Sequence, residues 1–148
     1  MTKLLLSVHV LAAILAIGPI AVAASLFPRC FRSTGEDGMN RGTAVFLHRI
    51  CRVYAVVGVV VPVFGVATGA QMGVLTDAWL LVSVVLTVIA AGLLSFGILP
   101  TQRRMLDAAE EAARRAVARL AGFTGLFNLL WAAVVVLMIV RPGSTTGA

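Results

Sequence analysis

Acidic residues are scarce in this 148-residue chain, with six Asp and Glu in all. None of them falls in the four long apolar runs, at about 4–27, 45–70, 78–99 and 120–140. A proton- or sodium-coupled transporter therefore lacks its usual intramembrane carboxylate. Cysteine is limited to Cys30 and Cys51, and no Cys-x-x-Cys pair, Ser/His/Asp set or phosphate-binding Gly-rich loop is present. That argues against hydrolytic and nucleotide-driven chemistry. Charged residues of either sign make up 12% of the chain, which excludes an ordinary soluble domain.

What fills the chain is hydrocarbon. Hydrophobic residues reach 60% and the mean hydropathy is +1.03. A bilayer core about 30 Å thick is crossed by about 20 helical residues, and each run is long enough. The runs do not alternate apolar and polar, so helices rather than barrel strands satisfy the backbone. The expected fold is all-α, an integral membrane antiparallel four-helix bundle forming a single transmembrane domain over residues 1–148.

The net charge of +6 does not indicate nucleic-acid binding. Ten of the twelve basic residues cluster around two connections: Arg29, Arg32, Arg41, Arg49 and Arg52, then Arg103, Arg104, Arg114, Arg115 and Arg119. The connection near Gln71–Asp77 has none. By the positive-inside rule both basic connections are cytoplasmic and both termini outside, with Lys3 and Arg141 mildly opposed. Both cysteines then lie on the reducing side, and no structural disulfide is expected. Lys3, the leucine-rich run and Ala21-Val22-Ala23 imitate a signal peptide, but the apolar run is too long, and an uncleaved first span is expected.

Pro19 and Pro62 lie within spans one and two, where each removes a backbone donor and should bend or loosen its helix. Packing geometry, or a substrate or ion site at the kinks, follows. Gly65-x-x-x-Gly69 is a small-residue spacing that lets helices approach closely, within the protomer or between copies. Residues 101–119 read as a cytoplasmic amphipathic connector, with Glu110/Arg114 and Glu111/Arg115 as i,i+4 pairs. Two helices projecting a few turns beyond the membrane, turning near Asp107–Ala113, fit its length. The tail from Pro142 reads as a short flexible end.

His9 is the one ionisable side chain well inside a span, about 8 Å below the outer face. It is either a haem or metal ligand or a histidine hydrogen-bonded to a neighbouring helix. His48 cannot share an iron with it, because the two differ in depth by about 20 Å. Met138, Met72 or water remain as second ligands on the outer side. His48, Cys51 and Cys30 form a weak metal set, and an interfacial edge of His48, Arg49, Arg52 and Tyr54 facing lipid phosphates or haem propionates is the alternative. Asn128 and Trp131 share a face in mid-span, as cross-helix glue or as cavity lining. Trp79 fits the aromatic belt.

Leu5-Leu6-Ser7-Val8-His9-Val10-Leu11-Ala12-Ala13, then Gly18 and Leu26-Phe27-Pro28-Arg29, resemble the first span of a group of small bacterial membrane proteins. The group includes the copper-resistance D type, the HemJ type and relatives of unknown function. Arg49-x-x-Arg52-x-Tyr54, Pro62 and Gly65 extend the resemblance over residues 4–70. HemJ-type proteins are implicated in protoporphyrinogen oxidation and hold b-type haem through a first-span histidine. The resemblance therefore implies His9 as a haem ligand, with the cytoplasmic arginines as anion contacts. The chain lacks the tryptophan before the glycine of span one, sets its histidine about one turn further from Pro28-Arg29, and has no lysine in its later spans. It stands nearer the relatives of unknown function. Two readings follow for a bacterial plasma-membrane protein: a haem- or porphyrin-binding redox protein, or a non-catalytic accessory subunit of a homo-oligomer or larger membrane complex.

Overall fold

The computed structural model describes residues 2–32 and 41–143. Residues 144–148, most of the tail expected to be flexible, lie outside them. The chain forms α1 (Thr2–Leu26) with a 3₁₀ turn (Phe27–Phe31), α2 (Arg41–Gly58), α3 (Val60–Met72), α4 (Ala78–Gly92), α5 (Leu99–Asp107) and α6 (Glu110–Val140). A π-helical turn over Leu93–Ile98 joins α4 to α5. Read through these joints, four helices are long and apolar enough to cross a membrane: Lys3–Phe31, Arg41–Met72, Ala78–Asp107 and Glu110–Val140. The architecture is an all-α four-helix membrane-spanning bundle.

Three prolines in these helices have three different outcomes. At Pro62 the missing N–H leaves the Gly58 carbonyl without its helical donor, and the helix breaks there. Val59 bonds instead to Val56 O at 3.2 Å, a tighter turn that separates α2 from α3. Pro100 would leave the Phe96 carbonyl unpaired in the same way. The helix widens just before it, with the Leu99 N–H bonding Leu94 O, five residues back. Pro19, expected to loosen span one, leaves α1 unbroken from Thr2 to Leu26.

The first span packs against α2 and α3, and α4 packs against α6. The buried core concentrates towards the arginine-rich end, where Phe27, Phe31, Ile98, Met105, Leu120 and Phe127 are almost fully enclosed. Phe27 and Phe31 sit one turn apart with ring centroids at 5.2 Å. Alanines do the close work: Ala24, Ala44, Ala90 and Ala113 have no exposed surface, so backbones approach where a larger side chain would hold them apart. The outward faces are leucine, valine and isoleucine, and Phe96 on the π-helical turn is 86% exposed. In water such a surface would aggregate; in hydrocarbon it costs nothing.

The connection between the third and fourth helices is short. Asp107 ends α5, Ala108 and Ala109 are extended, and Glu110 starts α6. At 1.5 Å per residue each helix is about 45 Å long, so about 15 Å extends past a bilayer core. Glu110–Arg114 and Glu111–Arg115 pair as their spacing requires. Arg41 then ties this hairpin to the second helix. Its guanidinium donates to Leu106 O at 2.6 Å and Ala108 O at 2.7 Å, capping the C-terminal carbonyls of α5.

Arg41→Gln is expected to cost on the order of 1 kcal/mol and lower the thermal midpoint in detergent by a few degrees. Arg41→Lys should recover little of this, because an ammonium cannot fork across two carbonyls. Circular-dichroism melts of the three proteins test it, and an unchanged midpoint for Arg41→Gln would show the clamp to be idle.

Candidate functional site

His9 lies on the first span and is 7% exposed. Its Nδ1 is 3.0 Å from Val61 O on α3. A carbonyl can only accept, so Nδ1 carries the proton and donates, and Nε2 of the neutral ring keeps its lone pair. The Val61 carbonyl is reachable because the residue one turn on is Gly65. A Cβ built there would lie 2.9 Å from His9 Cε1, a separation real structures do not tolerate. Gly65 is thus a notch for the imidazole. Gly69 is a second notch, where a Cβ would meet Leu80 Cδ2 at 2.9 Å and Leu75 Cδ2 at 3.3 Å. The Gly-x-x-x-Gly spacing, read as a place where helices approach closely, receives one side chain from α1 and leucines from α4 and the turn before it.

Beside His9 is a cavity of about 70 Å³ between all four spans. Pro62, Gly65, Thr87, Trp131 and Met138 contribute to its lining, which is almost wholly apolar. Among the sequence candidates, His9, Met138, Trp131, Pro62 and Gly65 therefore meet at one place. Thr87 is not an available donor, since its Oγ1 bonds Ser83 O at 2.8 Å. Trp131 stacks edge-on against Phe127 with centroids at 6.3 Å, and its buried Nε1 has no partner among the described residues.

The remaining candidates lie elsewhere. Arg49 and Arg52 are exposed on α2 and do not line the cavity. Pro19 is half-buried and not part of it. Asn128 parts from Trp131: its Nδ2 donates to Ser25 Oγ at 3.1 Å, in a polar cleft nearer the arginine-rich end. Residues three apart on a helix differ by about 60° in direction, enough for one to reach α1 and the other the central gap. Trp79, expected in the lipid-facing belt, is buried, with Nε1 3.1 Å from Asp77 Oδ2 and the Arg141 guanidinium 5.5 Å from the ring centroid.

His48 and Cys51, grouped in the sequence, are joined by a residue that was missed there. Gln102 is fully buried, accepts from His48 Nδ1 at 2.9 Å and donates to Cys51 Sγ at 3.7 Å. The amide occupies the place where a metal bridging His48 and Cys51 would have to sit. Both cysteines are free thiols, and among the described residues no three His, Cys, Asp or Glu side chains converge on a common point. Gln102 gave no signal beyond a lone amide beside Arg103 and Arg104. A polar residue is read as solvated unless its helix is known to continue inward.

Gly65→Ala is expected to destabilise by about 1–3 kcal/mol, because the methyl group displaces the His9 ring. In the His9→Ala background the same substitution should cost less than about 0.5 kcal/mol, since the space is empty. Denaturant melts of the four proteins in detergent measure this coupling, and additive effects would separate the two residues.

No curated protein and no solved structure matches the chain. What the sequence comparison does show is an integral membrane family, and it does not single out the copper-resistance D or HemJ type. The family described as predicted integral membrane protein (DUF2269) matches residues 3–142, through all four helices, and the chain belongs to it.

Proposed function

We propose that this protein is a non-catalytic accessory subunit of a larger bacterial membrane assembly, built with further copies of itself or with other chains. In this reading it is an antiparallel bundle in the plasma membrane, with both termini outside and the Arg41-clamped hairpin in the cytoplasm. The observation that carries it is the His9–Val61 hydrogen bond. The single ionisable group deep in the apolar spans is engaged in joining the first helix to the second. A histidine seated in a glycine notch and bonded to a backbone carbonyl needs no ligand to account for it.

A haem-binding reading has one specific observation in its favour. A histidine ligand usually donates its other ring N–H to a carbonyl or carboxylate, and His9 does so through Nδ1, leaving Nε2 as a base at a cavity that Met138 also lines. The fit fails on size and charge. The cavity holds about 70 Å³, whereas sites for ligands of even drug size take about 300–1,000 Å³. Arg49 and Arg52, offered for the propionates, lie outside it. A b-type haem would require α1 and α3 to part from α4 and α6.

The ultraviolet–visible spectrum separates the two readings. The chain purified in mild detergent, with haem supplied during expression, is expected to show no Soret band, oxidised or dithionite-reduced. A band that sharpens on reduction and vanishes in His9→Ala would replace the accessory reading with a haem protein.

A further inference from the structure

The second cleft of the bundle lies between the end of the first helix and α6, at the arginine-rich end. It measures about 230 Å³ and its lining is mainly polar. Arg29 and Arg32 stand at one side, with Ser25, Thr124, Gly125 and Asn128 completing it. On α6 the residues Ala121, Thr124, Gly125 and Asn128 recur at i, i+3, i+4 and i+7, which puts them on one face. Gly125 keeps that face hollow, because a Cβ there would meet nothing within 4 Å.

The polar groups of this cleft are only partly satisfied. Thr124 Oγ1 points to Ala24 O at 3.5 Å, and Asn128 Nδ2 donates to Ser25 Oγ. Asn128 Oδ1 is buried and has no donor among the described residues. An amide oxygen in that state is costly unless a ligand or water supplies a proton donor. Both guanidiniums lack an ion-pair partner among the described residues, where the ion pairs are those of Glu110 and Glu111. Among the described residues the site therefore offers two cations with no anion to pair them, and a deeper acceptor that receives no hydrogen bond. Its arginines stand where the first helix reaches the end of its apolar run, and Asn128 lies deeper along α6.

We propose that this cleft binds the headgroup of an anionic glycerophospholipid. Arg29 and Arg32 hold the phosphodiester, and Asn128 Oδ1 accepts a hydrogen bond from a headgroup hydroxyl. Guanidinium forks match phosphate oxygens, and basic pockets between transmembrane helices suit anionic headgroups. A phosphatidylglycerol headgroup carries both the charge and the hydroxyls. A choline headgroup brings a cation towards two arginines and no donor for Asn128. The acyl chains would run along the exposed apolar face beside the cleft. The assignment is independent of how the His9 cavity is used.

The test uses the full chain, delipidated in mild detergent, with native mass spectrometry against short-chain phosphatidylglycerol, short-chain phosphatidylcholine and inorganic phosphate. Phosphatidylglycerol is expected to bind about tenfold or more tightly than phosphatidylcholine, and Arg29→Gln/Arg32→Gln to bring the two within about twofold. Gly125→Leu changes no charge and should abolish the preference by filling the cleft. Gly122→Leu, also in open space but outside the cleft, should retain it and controls for folding. Equal binding of the two lipids, or a preference that survives both cleft variants, overturns the proposal. Inorganic phosphate competing as well as phosphatidylglycerol would overturn the lipid assignment in favour of a soluble phosphate ester.

Discussion

A backbone polar group in hydrocarbon has no water to fall back on, and much of this molecule follows from that constraint. Ser83 and Thr87 return their hydroxyls to carbonyls four residues earlier, as Ser7 and Thr68 do. His9 takes a carbonyl of α3, and Gln102 takes a histidine and a thiol. The hydroxyls find partners within their own helices, whereas His9 and Gln102 find theirs on another. The exceptions are few, and two of them, Asn128 Oδ1 and Trp131 Nε1, belong to residues lining the two cavities.

The same constraint governs the prolines. Each deletes a donor, and the consequence depends on what can move locally. Beside Gly58 the helix breaks into a tighter turn; before Pro100 it widens by one residue. The widening has a structural benefit. It shifts the register of α5 so that Gln102 and Met105 face the interior, closing the core at the arginine-rich end. The break near Pro62 falls at the opposite, looser half, where α3 and α4 touch little and the His9 cavity lies.

The molecule is therefore asymmetric along its length. At one end, aromatic rings, alanine contacts, the buried Gln102 and the Arg41 clamp make a closed core. At the other, histidine in a glycine notch joins the first two spans beside an apolar gap. Any ligand entering that gap competes with helix packing for the same residues, whereas the polar cleft beside Arg29 and Arg32 accepts an occupant without disturbing a core contact.

How much of this was legible beforehand follows from the range of each interaction. Span number, helical class, the connector's i,i+4 pairs and His9 as the deep ionisable group are properties of consecutive residues, and hydropathy and spacing carry them. Sequence alone left two alternatives for His9, a ligand or a cross-helix hydrogen bond. It could not reveal the ring's neighbours, because Val61 and Gly65 lie more than fifty positions away and a glycine's neighbour is invisible in the chain. Gln102 was passed over within a connector read as solvated, and Arg41 was read only for its charge; their partners come from other helices. Asn128 and Trp131 were grouped by spacing and parted by what surrounds α6. Local composition decided that this chain spans a membrane with four helices. The tertiary structure decided which of its few polar groups face one another, because in a bilayer a group that does not bond back to its own helix takes its partner from another helix or stays bare.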